Sequence, residues 1–385
     1  MPLNHNNPAT EGRSVLVIDD SRLSRAIVKG TLSKLNMRIV EATDGVEGLR
    51  ALEKEPFDLV LVDIVMPNMD GFGFLQAFKA RETADFIPVI LMTGSDDLNS
   101  KIKGLTVGAD DFLLKPLNEK ELIARVNSLL RLKSAHDELY LKNMQIEREL
   151  EYAKRLQQYI IPRDFSAIPR PAISGRYLPI ANIGGDLFDC YQLPGGGVGL
   201  VIADVTGHGI PAALVMSMSK TLFSVYAMGY RSTKELLSRV NNEMREFLMD
   251  THYLTAFYLI YDPSDETIRF TNAGHARPLY FRRRTGKVIA LDTDGLFLGI
   301  SEKDTYGEKA LRVEEGDTMI LYTDGITELR NRKDEYFGES RLATFLRQNA
   351  AIPGEEFCDK LLAELNAFAP LDERADDIAF LCVNF

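Results

Sequence analysis

The sequence predicts two domains of different fold class, an α/β domain with a five-stranded parallel sheet and an α+β sandwich, joined by a long helix. Near the N-terminus, short apolar runs alternate with helical patterns. A central segment keeps apolar residues three and four apart without Pro or Gly, and strand-like runs then outnumber helices. A chain of 385 residues also exceeds the size at which one core keeps growing, which favours two domains.

The charge and the apolar pattern of the chain limit its possible partners. With 45 Lys and Arg against 56 Asp and Glu, the net charge is -11, which disfavours nucleic-acid binding. Segment 1–12 is polar and lacks the parts of a signal peptide, so we expect a flexible tail. No apolar run approaches the roughly 18 residues that a membrane span needs. We therefore expect a soluble cytoplasmic protein that binds neither nucleic acid nor membrane.

Three cysteines, Cys190, Cys358 and Cys382, are widely separated in the chain. They form no C-x-x-C pair, which argues against both a zinc site and a disulfide framework. We expect free thiols with a structural role.

The first domain, predicted over 13–132, alternates strands and helices. Its expected strands are Ser14–Ile18, Arg38–Val40, Leu59–Val62, Val89–Met92 and Phe112–Leu114. In parallel sheets covered by helices, functional groups collect at the carboxyl ends of the strands. Those ends carry Asp19, Asp20, Asp63, Thr93 and Lys115.

Taken alone, each of these residues has a simple structural explanation. Asp20 can cap the following helix, and Lys115 can be a solvated charge beside a turn. Three acids at one sheet edge would nevertheless repel one another unless a cation lies among them, and oxygen ligands of this kind suit Mg²⁺. The sequence therefore predicts a Mg²⁺ site among the acids of the first domain.

Four segments of this domain also carry a family resemblance. They read V-L-V-I-D-D, L-V-L-V-D-I-V-M-P-N-M-D-G, V-I-L-M-T-G and D-D-F-L-L-K-P. Together they resemble the receiver domain of bacterial response regulators, which has a flavodoxin-like fold. The resemblance implies that Asp63 accepts a phosphoryl group from a sensor histidine kinase. The implied Mg²⁺ ligands are Asp20, Asp63 and the backbone carbonyl of Val65, with Asp19 acting through water.

The same resemblance implies roles for other residues at this sheet edge. Lys115 would neutralise one phosphoryl oxygen, and Thr93 would hydrogen-bond another. Phe112 would occupy the aromatic switch position of the receiver. Pro116 is a candidate for a cis peptide bond, because only X-Pro bonds adopt cis at low cost.

A linker helix is predicted over 133–162, continuing from the last helix of the first domain. No Pro or Gly lies between Asn118 and Ile161, and Pro162 provides the end. The seam positions are Leu122, Leu129, Leu132, His136, Leu139, Asn143, Ile146, Leu150, Ala153, Gln157 and Ile160. A seam this narrow favours a parallel coiled coil that makes the protein a homodimer, with Asn143 fixing the register. The alternative is a helix that packs along the second domain.

The second domain, predicted over 163–385, has more strands than helices. Its expected strands are Gly199–Ala203, Thr255–Tyr261, Thr267–Asn272, Pro278–Arg282, Thr318–Thr323 and Ile378–Val383. Its expected helices are Pro211–Met228, Thr233–Met249, Ser340–Asn349 and Glu355–Phe368. Strands with segregated helices indicate an α+β sandwich.

Acidic residues beside glycines or strand ends mark four segments of this domain. They read G-G-D-L-F-D, A-D-V-T-G-H-G, T-D-G-I-T-E and A-D-D-I-A-F. One Asp-Gly pair usually marks only a turn, but four separated acidic segments are harder to explain in that way. Carboxylates without His or Cys partners match Mg²⁺ or Mn²⁺ better than zinc, and several carboxylates could bracket two such ions.

In this order, the four segments resemble the PPM (type 2C) protein phosphatases of the bacterial branch that acts on sigma-factor regulators. The resemblance implies that Asp204 bridges two metal ions, with the carbonyl of Val205 close to one. It implies that Asp186 binds the first ion and that Asp324 and Asp376 bind the second. Asp189 and Asp377 would be neighbours of the ligands or alternative ligands. His208 would shape the loop beside the metals, and N-A-G-H-A-R-P at 272–278 would lie near the substrate.

The implied activity is metal-dependent hydrolysis of phosphoserine or phosphothreonine in a protein. Two Mn²⁺ or Mg²⁺ ions would activate water for attack on phosphorus, with no covalent enzyme intermediate. A cysteine nucleophile is excluded, because no arginine lies within six residues after Cys190 or Cys358 and Cys382 is too near the C-terminus. We expect an anti-sigma-factor antagonist as substrate and receiver control of the activity. The alternative is a non-catalytic adaptor that binds such a regulator, although none of its acids is lost.

Overall fold

The structure is a computed structural model that describes residues 12–81, 86–94, 106–162, 164–180, 183–207, 209–248, 252–301 and 306–385. The chain divides into two compact units, Met1–Glu147 and Arg148–Phe385, called unit 1 and unit 2. The predicted domain boundaries, which set 133–162 apart as a linker, stay predictions, and the linker helix contributes to both units.

Unit 1 contains the predicted five-stranded parallel sheet, in the order β2-β1-β3-β4-β5. Its strands are β1 Ser14–Ile18, β2 Arg38–Ala42, β3 Leu59–Asp63, β4 Val89–Thr93 and β5 Asp111–Leu114. The helices that follow β1, β2 and β3 are α1 Arg22–Ser33, α2 Gly45–Lys54 and α3 Gly71–Lys79. The prediction of an α/β domain is confirmed.

The three central strands, β1, β3 and β4, are buried on both faces because helices cover both. Within β1, Val15 and Val17 pack in one core, while Leu16 and Ile18 pack in the other. Helices α1, α2 and α3 each begin after a capping residue: the side chains of Ser21, Asp44 and Asp70 accept backbone N–H groups of the first turn. Short strand-to-helix turns therefore hold the carboxyl ends of the strands in place.

A single helix, α4, runs from Glu119 to Ile160 over 42 residues, as the lack of Pro and Gly predicts. Asn118 accepts the N–H groups of Lys120 and Glu121 at its start. The predicted seam has two kinds of residue. Leu122, Leu129 and Gln157 are buried within the units, whereas Leu132, Leu139 and Ile146 are 51%, 59% and 53% exposed.

Unit 2 contains two antiparallel five-stranded sheets, in the orders β13-β10-β9-β8-β7 and β12-β11-β14-β15-β6. The strands of the first sheet are β7 Leu187–Gln192, β8 Val198–Val205, β9 Leu254–Asp262, β10 Thr267–Ala273 and β13 Lys309–Arg312. Those of the second are β6 Ala172–Leu178, β11 Leu279–Arg282, β12 Lys287–Ala290, β14 Thr318–Tyr322 and β15 Ile378–Asn384. The helices are α5 Ile210–Ala227, α6 Thr233–Phe247, α7 Asp324–Thr327, α8 Gly338–Asn349 and α9 Gly354–Phe368.

The two sheets pack face to face, with helices on the outer faces. Along β15, Ala379 and Leu381 point into the core that the sheets share, while Phe380 and Cys382 point toward α8 and α9. Helices α5 and α6 cover the first sheet. The predicted α+β sandwich is confirmed.

One described helix, α5, is long and apolar enough to span a bilayer by length and composition. The prediction that no apolar stretch reaches that length is wrong by this measure. In the fold, however, α5 lies on β7 and β8, and Ala212, Met216 and Phe223 are buried in the sandwich core. One face of α5 is therefore packed in unit 2, while Ile210, Leu214 and Val225 are exposed.

Candidate active site

Four strand ends meet at one end of the sandwich. Asp186 directly precedes β7, and Asp204 lies near the end of β8, where Leu187 pairs with Ala203. In the second sheet, Asp324 follows β14, and Asp376 and Asp377 precede β15. We call Asp186, Asp204, Asp324 and Asp376 the sandwich acids. Antiparallel pairing thus brings together residues that are far apart in the sequence.

Hydrogen bonds join the two sheets at this end. Thr323 donates from Oγ1 to Oδ2 of Asp186 at 2.7 Å, and the same Oγ1 accepts the N–H of Ala379 at 3.0 Å. Asp377 accepts the N–H of Gly185 on Oδ2 and that of Ile180 on Oδ1, both at 2.7 Å. Asp377 therefore braces the segment that carries Asp186. Thr323 was not singled out from the sequence, although the T-D-G motif contains it.

The sandwich acids raise one another's proton affinity. Burial and the charges of Asp204 and Asp377 raise the pKa of Asp186 well above its ordinary value. Burial and the charges of Asp324 and Asp376 raise the pKa of Asp204 to about 7. Burial and the Asp376 charge raise the pKa of Asp324 to about 6. Carboxylates that repel one another in this way fit a site for hard cations such as Mg²⁺ or Mn²⁺.

The backbone at this site is closely packed. The carbonyl of Val205 lies beside Gly185, where a Cβ atom would come within 3.0 Å of the oxygen. A Cβ atom on Gly325 would overlap the carbonyl oxygen of Asp377. These approaches explain the glycines beside Asp186 and Asp324 in the sequence. They also place the Val205 carbonyl beside the residue that precedes Asp186.

Asp189 and His208 are the other two residues that were predicted to lie near the metals. Asp189, on β7, pairs with Lys220 of α5 and accepts the N–H of Cys190, so its carboxylate is already occupied. His208 lies outside the described residues.

The three cysteines are free, and burial raises the pKa of Cys190 and of Cys358 to about 12. Such thiols are poor nucleophiles.

An open pocket of about 990 Å³ adjoins the sandwich acids at Asp324. One wall is the predicted substrate loop, which Asn272 holds by accepting the N–H of His275 and donating to its carbonyl. His275 is buried, with Nδ1 2.7 Å from Oγ1 of Thr255, and burial lowers its pKa to about 4, with Tyr322 opposing the shift. Arg277, at the pocket, is half-exposed and pairs with Glu339 at 3.0 Å.

Unit 1 has a second acidic site, at the carboxyl ends of β1 and β3. Asp19, Asp20 and Asp63, called the receiver acids, have ligand oxygens within 4.8 Å of one another. Nζ of Lys115 lies 2.7 Å from an oxygen of Asp19 and 2.7 Å from one of Asp63. Burial raises the pKa of Asp63 despite Lys115, and these acids raise the pKa of Lys115 although burial opposes them. Among the described residues, no other set of three or more Asp, Glu, His or Cys side chains has ligand atoms this close together. The sandwich acids therefore lie further apart than the receiver acids.

The remaining residues predicted for this site lie around it. Thr93 ends β4, is buried, and its carbonyl accepts the N–H of Lys115 at 2.7 Å. Phe112 lies in β5 with the guanidinium of Arg125 5.5 Å from its ring centre. Val65, just after β3, is exposed. The predicted cis bond before Pro116 is confirmed.

The two folds and their acidic sites define the class of protein: a receiver domain joined to a phosphatase domain of the PPM type. Family models agree, since the response regulator receiver domain matches residues 15–127 and stage II sporulation protein E (SpoIIE) matches residues 194–385. The chain belongs to the response regulators that carry an N-terminal receiver and a C-terminal PPM-type phosphatase domain.

Solved structures are similar to unit 2. The SiaA-PP2C domain of Pseudomonas aeruginosa is 24% identical and has a TM-score of 0.56, covering 63% of this chain and 98% of that one, which supports the fold. The RsbU and RsbW domains of Rv1364c from Mycobacterium tuberculosis are 25% identical with a TM-score of 0.50, covering 56% and 60%.

Among curated proteins, the probable transcriptional regulator ycf27 of Cyanophora paradoxa is 41% identical over 119 residues, or 31% of this chain and 48% of the relative. The chain thus spans about half the length of the curated relatives it matches. This similarity is to a receiver-sized segment, and it carries no statement about the output of the whole protein.

Proposed function

We propose that the protein is a response regulator whose receiver controls a metal-dependent protein serine/threonine phosphatase. The observation that carries the proposal is the meeting of Asp186, Asp204 and Asp324 at one end of the sandwich, with pKa values raised by burial and mutual repulsion. Acids kept in such an unfavourable arrangement are typical of functional sites.

In this proposal the sandwich acids and the Val205 carbonyl would hold two Mn²⁺ or Mg²⁺ ions. When bound, the ions supply Lewis acidity that activates water and offsets the charge of the phosphoryl group. Thr323 orients Asp186 through its hydroxyl. Asp377, which the resemblance implies as a neighbour of the ligands or an alternative ligand, accepts backbone N–H groups on both carboxylate oxygens and acts by holding Gly185 in place.

The proposed substrate is a phosphorylated protein of the anti-sigma-factor antagonist type. This class is what the resemblance of the four acidic segments to the sigma-factor branch of the PPM phosphatases implies. The open pocket beside Asp324 offers room for a phosphorylated segment, and Arg277 at its wall supplies a cation for the phosphoryl group or a neighbouring acid. Burial keeps His275 neutral at pH 7, so we assign it a role in shaping this wall.

In the receiver, Asp63 would accept a phosphoryl group from a sensor histidine kinase. Mg²⁺ would bind at the receiver acids and the Val65 carbonyl, and Lys115 and Thr93 would contact the phosphoryl oxygens, with Phe112 as the switch aromatic. The exposed seam positions of α4, such as Leu132 and Leu139, would join two copies as a coiled coil. We propose a cytoplasmic homodimer that binds neither nucleic acid nor membrane.

The test is Mn²⁺-dependent phosphate release from a phosphorylated antagonist by wild type and by Asp204→Asn, with and without acetyl phosphate. We expect release by wild type, loss in Asp204→Asn, and a change with acetyl phosphate that Asp63→Asn abolishes. If acetyl phosphate does not change the rate of phosphate release by wild type, receiver control is refuted. Binding of the phosphoprotein without release would favour the non-catalytic adaptor.

A further inference from the structure

Gln157 differs from the other polar seam positions of α4. It lies near the end of the helix and is 5% exposed, whereas His136 and Asn143 are exposed. Its Nε2 donates to the carbonyl of Gly184 at 2.7 Å, and its Oε1 accepts the N–H of the same residue at 3.1 Å. The carboxamide therefore binds both polar backbone groups of one glycine, 27 residues further along the chain.

Gly184 begins the segment that carries Asp186. The next N–H, of Gly185, is bonded to Oδ2 of Asp377, and that of Asp186 lies 3.4 Å from the same oxygen. A Cβ atom on Gly184 would overlap Oδ2 of Asp377 and the hydroxyl of Tyr177. The segment is thus held between Gln157 on one side and Asp377 on the other, with no free space at Gly184.

Glutamine suits this contact for a chemical reason. A buried N–H and a buried C=O each need a partner, and a carboxamide offers one acceptor and two donors. A glutamate could accept the N–H but would face the Gly184 carbonyl with a second oxygen, and an alanine would leave both groups without a partner. The sequence motif that places Gln157 in a coiled-coil seam does not reveal this contact.

We infer that Gln157 is a positioning residue for Asp186, fixing the Gly184–Asp186 backbone so that the Asp186 carboxylate faces the other sandwich acids. The inference rests on the proposed function and deepens it. Helix α4 begins in unit 1 and ends in unit 2. Its last turns are hydrogen-bonded, through Gln157, to the segment that carries the proposed metal ligand Asp186. A displacement of the end of α4 would act on the segment that carries Asp186 through the two hydrogen bonds of Gln157.

The test compares full-length wild type with Gln157→Ala, Gln157→Glu and the control Gln158→Ala, which changes the half-buried neighbour on the same turn. Two quantities are measured: Mn²⁺ affinity by calorimetry, and hydrogen exchange of peptides covering 183–188 in the metal-free protein. We expect Gln157→Ala to weaken Mn²⁺ binding about 10-fold, in the range found when partners of metal ligands are removed, and to speed exchange at 183–188. Gln157→Glu should be intermediate, and Gln158→Ala should match wild type.

A purely structural role predicts a lower melting temperature with unchanged Mn²⁺ affinity and unchanged exchange at 183–188, and that result would overturn the inference. Kinetics give a second criterion: the Mn²⁺ concentration for half-maximal phosphate release should rise, while the rate at saturating Mn²⁺ stays near wild type. If Gln157→Ala does not fold, Gln157→Glu carries the same comparison. If wild type binds no Mn²⁺ outside the receiver, the proposed function fails, and exchange in the metal-free protein still decides whether Gln157 holds the segment.

Discussion

The two acidic sites of this chain use the same side chains under different electrostatic conditions. In the receiver, Lys115 lies 2.7 Å from both Asp19 and Asp63, so the protein supplies its own cation. In unit 2, no lysine or arginine of the described residues pairs with Asp186, Asp204 or Asp324. Hydrogen bonds from Thr323 and from backbone amides are the contacts that hold this end of the sandwich together.

This difference indicates how strongly the stability of each site depends on bound metal. The receiver acids are partly neutralised without metal, because Lys115 offsets part of the charge of the three carboxylates before Mg²⁺ or a phosphoryl group binds. The sandwich acids keep their repulsion until protons or cations arrive, which stores free energy that metal binding releases. We therefore expect metal to stabilise unit 2 more than unit 1.

The largest expected effect comes from removing the internal cation of the receiver. Lys115→Met leaves Asp19 and Asp63 buried without their ammonium partner, and we expect unit 1 to lose about 3 kcal/mol of its free energy of unfolding. Hydrogen exchange of peptides from β1 and β3 measures the loss, with the exposed Lys120→Met as control. Millimolar Mg²⁺ should restore part of it; equal exchange in both variants would contradict the role given to Lys115.

A packing change at the sandwich acids should be next in size. Gly325→Ala places a methyl group against the Asp377 carbonyl, so the β14 and β15 ends must separate. We expect unit 2 to lose about 2 kcal/mol, typical of overpacking. Gly229→Ala is the matched control, because its Cβ would lie 3.8 Å from the nearest atom, the Tyr226 carbonyl. Thermal unfolding should therefore separate the two variants, and similar melting temperatures would argue against the close approach.

The pH dependence of the metal-free protein tests the stored repulsion. The folded pKa of Asp204 is raised to about 7, so the folded state binds more protons than the unfolded state below that pH. The free energy of unfolding should then fall between pH 6 and pH 8, by on the order of 1 kcal/mol for one such group. Mn²⁺ should add more to the melting temperature at pH 8 than at pH 6. The opposite order would contradict the assignment.

Removal of one charge from the sandwich acids should stabilise the metal-free protein. Asp204→Asn removes one of the charges that raise the pKa of Asp186, and we expect a gain of about 1 kcal/mol, as when a functional site is relieved of strain. Differential scanning calorimetry in a chelator measures it. In Mn²⁺ the order should reverse, because the variant cannot use the metal. A variant less stable than wild type in chelator would refute the repulsion.

The smallest effect is expected at the pocket wall. Arg277→Ala removes a half-exposed guanidinium beside Asp324, and we expect a rise in KM for the phosphoprotein of about 5-fold with little change in kcat, as for loss of a charge-assisted contact. The exposed Arg284→Ala serves as control. A change confined to kcat would place Arg277 outside substrate binding.

Much of the fold could be predicted from the sequence, because the central strands are continuous apolar runs that are easily recognised. Strands β1, β3 and β4 were placed to within one residue at each end. The weaker strands were missed for physical reasons: β12 and β13 are short and half-exposed, β7 carries Asp189, and β6 contains Gly175. Apolar periodicity gives no signal for strands of this kind.

The site was predictable only as far as its motifs reach. The acids stood out because several carboxylates lie beside glycines and strand ends. Their partners did not, since the contacts of Gln157 with Gly184 and of Lys220 with Asp189 join residues of ordinary type across tertiary structure. The same holds for α4: its seam pattern predicts the helix, whereas the surrounding fold decides which seam residues are buried.

The most direct test of the central claim is a calorimetric titration of Mn²⁺ into the Asp20→Asn protein, which lacks one of the ligands proposed for the receiver site. We predict two Mn²⁺ ions bound per chain with release of protons at pH 7, and loss of both ions when Asp204→Asn is added. A protein that binds no Mn²⁺ in the Asp20→Asn form, or binds it equally well without Asp204, would contradict the metal site proposed for the sandwich acids.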